Sequence, residues 1–460
     1  MLGRAAVTAA TAVAISLIAA PTVPARERML TLYSPKIHTL PYVHDTHHVT
    51  LRPDGREAPK RPGYITGWAA QDIVDSKRPN AKPLPLRRMM VHHFLIFAPG
   101  RVDQAPGSCW GLSGFIGGRG EEHPNGKLSR VRSSRSFRRR YGINNRTGDG
   151  RAPTWLLTAM VMNHYKRPKS FYVRLRVWYV TGERRKSLMP TVVGKCSHVL
   201  NGMSYDVPGG GRPGSSFIDK SRWTSPLNAR IVTAASHNHG GAKYQSLSSV
   251  TCHQRLFKAP AYYGRPSHIY NRIRPILHEP GPIGNGAYAT KRGIPLARGE
   301  VLQRRAVHDS SNLHVAAMGF WVLHLVRDDS VRPCSRIPRD VVEINKPKRY
   351  DRTPNYGLVV PQLYKPRGAF RAFTGSPVAV GDLFFRPGRL TTTVGQPVTW
   401  RFTGGLPHSV TVANGPRGFS SVYWGRTRGT YSFTPKVPGV YRMTCLVHPT
   451  TMGQTLVVRR

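Results

Sequence analysis

An all-β protein of several domains is what this sequence predicts, and three observations carry the prediction. Short runs rich in β-branched and aromatic residues recur at 89–97, 156–162, 170–180, 230–235 and 316–326. In Val173-Arg174-Leu175-Arg176-Val177-Trp178-Tyr179 apolar and basic residues mostly alternate, the mark of a strand with one buried face. Long helical periodicity is nearly absent, while 39 prolines and 45 glycines supply turns such as Asp206-Val207-Pro208-Gly209-Gly210-Gly211. A chain of 460 residues is too long for one hydrophobic core, so two or three domains are expected. No internal repeat stands out.

In chain order, residues 5–20 form an uninterrupted run of small and apolar side chains behind Arg4. Pro21-Thr22-Val23-Pro24-Ala25 then offers a small-residue exit before Arg26-Glu27-Arg28. That is the pattern of a secretory signal peptide over residues 1–25, cut after Ala25. The mature protein is then extracytoplasmic, released or held at the cell surface. The run is short and Ala-rich for a bilayer span, which makes an uncleaved anchor the second choice.

The body of the chain holds three clusters of donor residues. Met90-Val91-His92-His93-Phe94 sets two adjacent histidines inside an apolar strand. Neighbouring strand residues face opposite sides, so one ring is buried or the strand twists locally, and a buried imidazole needs a partner. On this segment alone, one core and one surface histidine stand level with a pair of metal ligands. Ala235-Ser236-His237-Asn238-His239 is a His-x-His. On a strand it projects both rings to one face, ~7 Å apart at the backbone, close enough to grip one metal. The same triplet also arises by chance in a chain with 19 histidines. Met318, within Ala316-Ala317-Met318-Gly319-Phe320, reads by itself as core packing. His44, His47, His48, His198, His253, His278, His308, His314 and His324 follow no pattern and receive no role, apart from adventitious metal at His47-His48.

Residues 338–370 are proline-punctuated and basic with no periodic face, and read as a connector. Beyond it come Leu406-Pro407-His408-Ser409 and, near the end, Cys445-Leu446-Val447-His448-Pro449-Thr450-Thr451-Met452. A thiolate, two imidazoles and a thioether are the ligand set of a blue-copper electron-transfer centre, a trigonal His₂Cys site with a weak axial Met. Tyr441-Arg442-Met443-Thr444 leads into Cys445 as an extended strand, and Pro449 turns the chain after His448. One loop thus offers three ligands while His408 arrives from another strand. A His-Cys-His arrangement, which a multicopper oxidase needs, is absent because Thr444 and Leu446 flank Cys445.

This segment resembles the cupredoxins, of the plastocyanin and pseudoazurin kind, over residues 376–460. The resemblance implies a Greek-key β-sandwich with one type 1 copper on His408, Cys445, His448 and Met452. The body, with His92-His93, Val161-Met162-Asn163-His164-Tyr165, His237-Asn238-His239 and Met318 in that order, resembles the copper type II, ascorbate-dependent monooxygenases. That group contains the peptidylglycine α-hydroxylating and dopamine β-monooxygenases. It implies two jelly-roll-like antiparallel β-sandwich domains, 40–190 and 191–337, then a linker at 338–375. It further implies an electron-storing copper on His92, His93 and His164 and a second, catalytic copper on His237, His239 and Met318, facing each other across a solvent cleft. Two imidazoles plus a soft thioether favour Cu(I), the form that meets dioxygen. Ala235, Phe320 and Val322 stand where the peptide-amidating members hold a substrate carboxylate, so an apolar or aromatic small substrate is expected.

Charge and cysteines bound the partners. With 69 Lys and Arg against 22 Asp and Glu, the net charge is +47, with a local peak over residues 127–151. Such a field attracts anions, and an anionic wall polymer or membrane accounts for it better than nucleic acid, for which no recognition motif is present. Within residues 371–460 the one acid is Asp382, so a redox partner of that domain is expected to be acidic or neutral. Setting Cys445 aside leaves Cys109, Cys196, Cys252 and Cys334, enough for two disulfides in any of three pairings. The functional expectation is an exported copper-dependent monooxygenase. Its co-substrate is dioxygen, and its electrons come from ascorbate or a redox protein, or through the fused cupredoxin. A non-catalytic extracellular copper-binding or electron-transfer protein is the alternative.

Overall fold

Alternating strands separated by Gly/Pro turns build six β-sheets, which pack in three successive pairs. The computed structural model describes residues 27–104, 114–120, 140–195, 203–344, 346–352, 361–422 and 425–460. The expected signal peptide, Cys109, Cys196, His198 and residues 127–139 of the basic stretch lie outside them. The fold is all-β: among the described residues the one α-helix is the short Ile269–Arg272, and no helix is long and apolar enough to cross a membrane.

Each pair of sheets encloses a core with one fully buried tryptophan at its centre, Trp155, Trp321 and Trp400 in turn. Burying ~150–250 Å² of such a ring at ~25 cal/mol per Å² contributes roughly 4–6 kcal/mol, as an upper bound. Two of the indoles have their polar edge matched, Trp155 Nε1 donating to Asn145 Oδ1 at 2.9 Å and Trp400 Nε1 to Gln454 Oε1 at 2.8 Å.

In the first sandwich, the sheet that bears the histidines runs Val43–Leu51, Trp155–Asn163, Met89–Phe97, Phe115–Gly120. The pairing of Met89–Phe97 with Trp155–Asn163 slips between Val91 and His93: Val91 faces Val161, and His93 faces Met160. His92 is the extra residue of a β-bulge, which rotates the chain locally. That slip resolves the question posed by two adjacent strand histidines, because both rings are buried together.

In the second sandwich, Met189–Gly194, His314–Arg327, Ala229–Asn238 and Ala287–Leu296 form the sheet that carries the His-x-His. Its register sets His237 opposite Phe320 and Asn238 opposite Gly319. The facing sheet centres on Val301–Asp309 and Ala242–Ser249. A Cys252–Cys334 disulfide closes an 82-residue separation within this unit. The two sandwiches are fused: Val232 and Val326 of the second belong to the core cluster of the first.

The third sandwich packs the Arg389–Thr393, Gly453–Arg459, Gly439–Thr444 and Thr411–Asn414 sheet on Val378–Gly381, Val398–Phe402 and Gly429–Phe433. Where the connector over 338–375 is described, it is docked at both ends. Val342–Glu343 joins the second sandwich, and Gln362 Nε2 donates to Met443 O and Gln454 O at 3.0 and 2.8 Å.

Candidate metal centres

The C-terminal cage is built from one strand end and one turn. Ser409 follows His408, and its hydroxyl accepts from Leu446 N–H at 2.8 Å, which ties the two ligand-bearing segments together. Thr444 ends the Gly439–Thr444 strand, so Cys445 begins the turn; Met452 N–H donates back to His448 O at 3.1 Å and closes it. Cys445 Sγ lies 4.0 Å from His408 Nδ1 and 3.8 Å from His448 Nδ1, and the three donor atoms sit within 4.8 Å of one another. All four expected ligands, Met452 included, are buried.

Three neighbours tune this cage. Asp382 Oδ1 accepts from His408 Nε2 at 3.1 Å, which leaves Nδ1 as the lone-pair donor facing the sulfur. Hydrogen bonds from Leu406 N–H and from His408 hold the Asp382 carboxyl down at about 2. Ser409 N–H donates to Cys445 Sγ at 3.3 Å, a contact that offsets part of the burial that raises the thiol's pKa. Burial, with His408 adding to it, lowers His448 to about 4, so its imidazole is neutral and free to ligate. A soft sulfur donor and two imidazoles in a dry site fit copper.

The second centre lies where the first two sandwiches meet. His93 Nε2 is 2.8 Å from His237 Nε2 and 3.3 Å from His239 Nε2. His92 Nε2 is 3.0 Å from His278 Nε2, and His92 Nδ1 lies 2.8 Å from His93 Nδ1 and 2.9 Å from Met160 Sδ. The His44 ring packs against His92 and His278 at centroid separations of 4.7 and 5.2 Å. Burial holds His92, His93 and His278 well below the usual imidazole range, and their mutual repulsion adds to it. Desolvation likewise takes His44 and His164 to about 4. All five are therefore neutral at physiological pH, the form that binds metal. Two imidazole nitrogens on one metal at about 2.0–2.1 Å with roughly 90–110° between them stand about 2.8–3.4 Å apart, the spacing seen here.

The expected ligands are therefore brought together, but not along the expected partition. His93, grouped from the sequence with His92 and His164, keeps His92 at 2.8 Å but also meets His237 and His239, and the donor atoms of His92, His93 and His239 lie within 4.8 Å of one another. The solvent cleft implied between two copper groups is replaced by direct contact of buried rings, because the bulge at His92 and the shared core draw the sandwiches together. His164 is buried beside His278 on the wall of a cavity of ≈ 20 Å³, and its Nδ1 has no hydrogen-bond partner among the described residues. Met318 lies in an apolar cluster with Met160, Phe320 and Leu446, and its carbonyl accepts from His239 N–H at 3.3 Å. The thioether at hydrogen-bond distance of a cluster nitrogen is that of Met160.

His44, His278 and Met160 are the residues sequence reasoning missed. No local spacing marks them, since His278 stands 186 residues from the ring it meets. Behind His278, Glu279 ion-pairs with His314 at 2.8 Å, and Asp309 lies 4.0 Å from the same ring. Burial opposes charge on His314, yet Glu279 and Asp309 together raise it to about 10. Gly240 and Gly241, next after His239, are needed here: a Cβ on the first would strike Glu279, and on the second, at φ +73°, the His314 ring.

The two centres touch. His44 N–H donates to the carbonyl of Val447, which lies between Cys445 and His448, at 3.4 Å. Leu446, next to the thiolate, packs in the cluster that holds Met160.

No family model matches the chain. The cage and its two-sheet sandwich define the C-terminal domain as a cupredoxin, a copper-binding electron-transfer module. More narrowly, the chain belongs through this domain to the amicyanin family. Amicyanin-alpha of Methylorubrum extorquens is 32% identical over 98 residues, a span that covers 20% of this chain and 82% of that protein. Among solved structures, a reduced amicyanin variant is 26% identical, covering 18% of this chain and 83% of its own at a TM-score of 0.17. A purple cupredoxin from Nitrosopumilus maritimus is 26% identical, covering 16% and 82%, at a TM-score of 0.15.

Proposed function

We propose that this protein is an extracytoplasmic copper oxidoreductase in which electrons enter at the C-terminal cage and are spent at the histidine cluster. Its reaction is hydroxylation of a C–H bond in an apolar or aromatic small substrate: R–H + O₂ + 2e⁻ + 2H⁺ → R–OH + H₂O. The observation that carries this is the hydrogen bond from the His44 backbone N–H to Val447 O, which joins the ligand loop of one centre to the strand that carries a ring of the other. Copper held at both centres supplies the one-electron redox steps and the activation of dioxygen. The chain's own part is to keep the His44, His92, His93 and His278 imidazoles neutral by burial, to hold Cys445 against Ser409 N–H, and to exclude water. Met318 and Phe320 supply an apolar wall beside His237, whose ring lies 4.7 Å from Phe320. Ascorbate or an acidic redox protein would supply the electrons, and the disulfide fits a compartment outside the cytoplasm. The strongly positive surface would hold the protein to an anionic wall or membrane.

The test is oxygen isotope transfer. With ¹⁸O₂, a reductant and a panel of small aromatics, one labelled oxygen per hydroxylated product is expected, and it should disappear in His93→Ala, which removes the ring that meets His92, His237 and His239. Dioxygen uptake without labelled organic product would contradict hydroxylation while leaving the redox relay standing. A specific observation favours a second reading, a non-catalytic copper-binding or electron-transfer protein. His44 and His278 cap His92, and the adjoining cavity of ≈ 20 Å³ admits nothing larger than a water-sized molecule. That reading expects copper to be bound and reduced with neither dioxygen uptake nor labelled product in wild type.

A further inference from the structure

We infer that Asp206 is a positioning residue for the histidine cluster: through Ala316 it holds His239 in the orientation that binds metal, and the seated C-terminal sandwich holds Asp206 in place. The inference deepens the copper reading of the cluster and rests on it.

The Ser204–Val207 strand pairs with His314–Arg327, with Tyr205 opposite Ala317 and Val207 opposite His314. Asp206 therefore stands against both Val315 and Ala316, a bulge that leaves an amide outside the strand ladder. Ala316 takes φ +55°, the left-handed region that a Cβ disfavours, so its neighbours must hold it there. Its N–H donates to Asp206 Oδ1 at 2.9 Å. Turned this way, its carbonyl accepts from His239 Nδ1–H at 2.9 Å. With the proton fixed on Nδ1, the lone pair lies on Nε2, 3.3 Å from His93 Nε2 and within the donor group of His92, His93 and His239.

The other side of the Asp206 carboxylate belongs to the third sandwich. Ser420 N–H donates to Oδ2 and the Ser420 hydroxyl to Oδ1, both at 2.8 Å. Beside them Gly418 N–H donates to Pro208 O at 2.9 Å, and the Arg417 guanidinium to Gly209 O. Ser421 is in turn bonded to Val410, its N–H donating to Val410 O at 2.8 Å and its hydroxyl accepting from Val410 N–H at 2.9 Å. Val410 follows the cage ligand His408 by two residues. A continuous run of covalent and hydrogen bonds thus joins His408 to His239, with Asp206 at the junction of the two sandwiches.

The experiment titrates the full chain, its blue cage already filled, with Cu(II) against a competing chelator, and records the electron paramagnetic resonance of copper bound beyond the cage. The blue absorption serves as the folding control. Asp206→Ala is expected to keep the blue band, to bind cluster copper about tenfold more weakly and to shift its resonance, as follows when a metal-binding imidazole loses the support that orients it. Adding Ala316→Gly to Asp206→Ala should recover part of the affinity, because glycine takes the left-handed conformation without the Cβ penalty. If Asp206→Ala loses the blue band, Ser420→Ala takes its place, with a smaller weakening and the same direction of shift. Wild-type affinity and resonance in the folded variant would overturn the inference and leave the copper reading of the cluster intact. Weakening that the glycine does not relieve would do the same. No copper beyond the cage in wild type would overturn both.

Discussion

The two centres of this molecule are assembled in opposite ways. In the cage, three donors come from one eight-residue run, 445–452, and the fourth from a strand end tied to it by Ser409. Each partner lies in the same sandwich, and Asp382 and Ser409 fix one imidazole and the sulfur. In the cluster, the donors come from five separate segments, and the contacts span 144 and 186 residues. No short motif holds them; a β-bulge, a shared core and the fit of two sandwiches do. The difference teaches that a local site survives damage to its surroundings, whereas a site made by tertiary packing fails with any of its walls.

The sharpest way to break the comparison is to remove the sulfur. Cys445→Ser is expected to abolish the blue absorption entirely while the histidine cluster keeps its copper, as read by optical spectra and metal analysis. Parallel loss of cluster copper would show the two sites to be one folding unit. The mirror experiment is His93→Ala, which deletes the ring that meets His92, His237 and His239. It is expected to strip copper from the cluster, to end dioxygen uptake and to leave the blue band unchanged. The apo-protein should lose about 1–3 kcal/mol in denaturant unfolding from the polar contacts left unmade.

Opening the Cys252–Cys334 disulfide tests the wall rather than the ligands. A loop of this length is expected to contribute about 2–5 kcal/mol, so a Cys252→Ser/Cys334→Ser variant should unfold at lower denaturant. Cluster copper should be lost along this transition before the blue band is. The fourth test is pH. His314 has a folded pKa of about 10 against 6.5, so its charged pairing with Glu279 contributes fully below pH 6.5. Apo-protein stability should fall as pH rises from 6.5 towards 10, and His314→Gln should remove that slope. The smallest effect is expected from Asp382→Asn, whose carboxylate is half exposed. It should raise the reduction potential of the cage, since one anion fewer faces His408, with the blue band retained.

What was legible in the sequence follows the same division. Cys445, His448 and Met452 declare themselves by spacing, and His408 by its strand, because all four lie within one domain. The strands were readable from alternation and turn residues, and the all-β class followed. The adjacent His92 and His93 were readable as an anomaly only, since the bulge that buries both depends on register against Met160 and Val161. The meeting of His92 and His93 with His237 and His239 was not readable, because it needs the distance between two sandwiches. His44 and His278 looked like scattered histidines for the same reason. Met160, a strand methionine, looked like core, and only the 2.9 Å contact with His92 gives it a chemical place.

The central claim is that electrons pass from the cage into the cluster within one chain. The most direct measurement reduces the copper-loaded protein without air, adds dioxygen in a stopped-flow mixer, and follows the blue band. In wild type the band should return rapidly at a rate independent of protein concentration, and in His93→Ala it should stay bleached on that timescale. Equal rates of return in the two proteins would contradict the account.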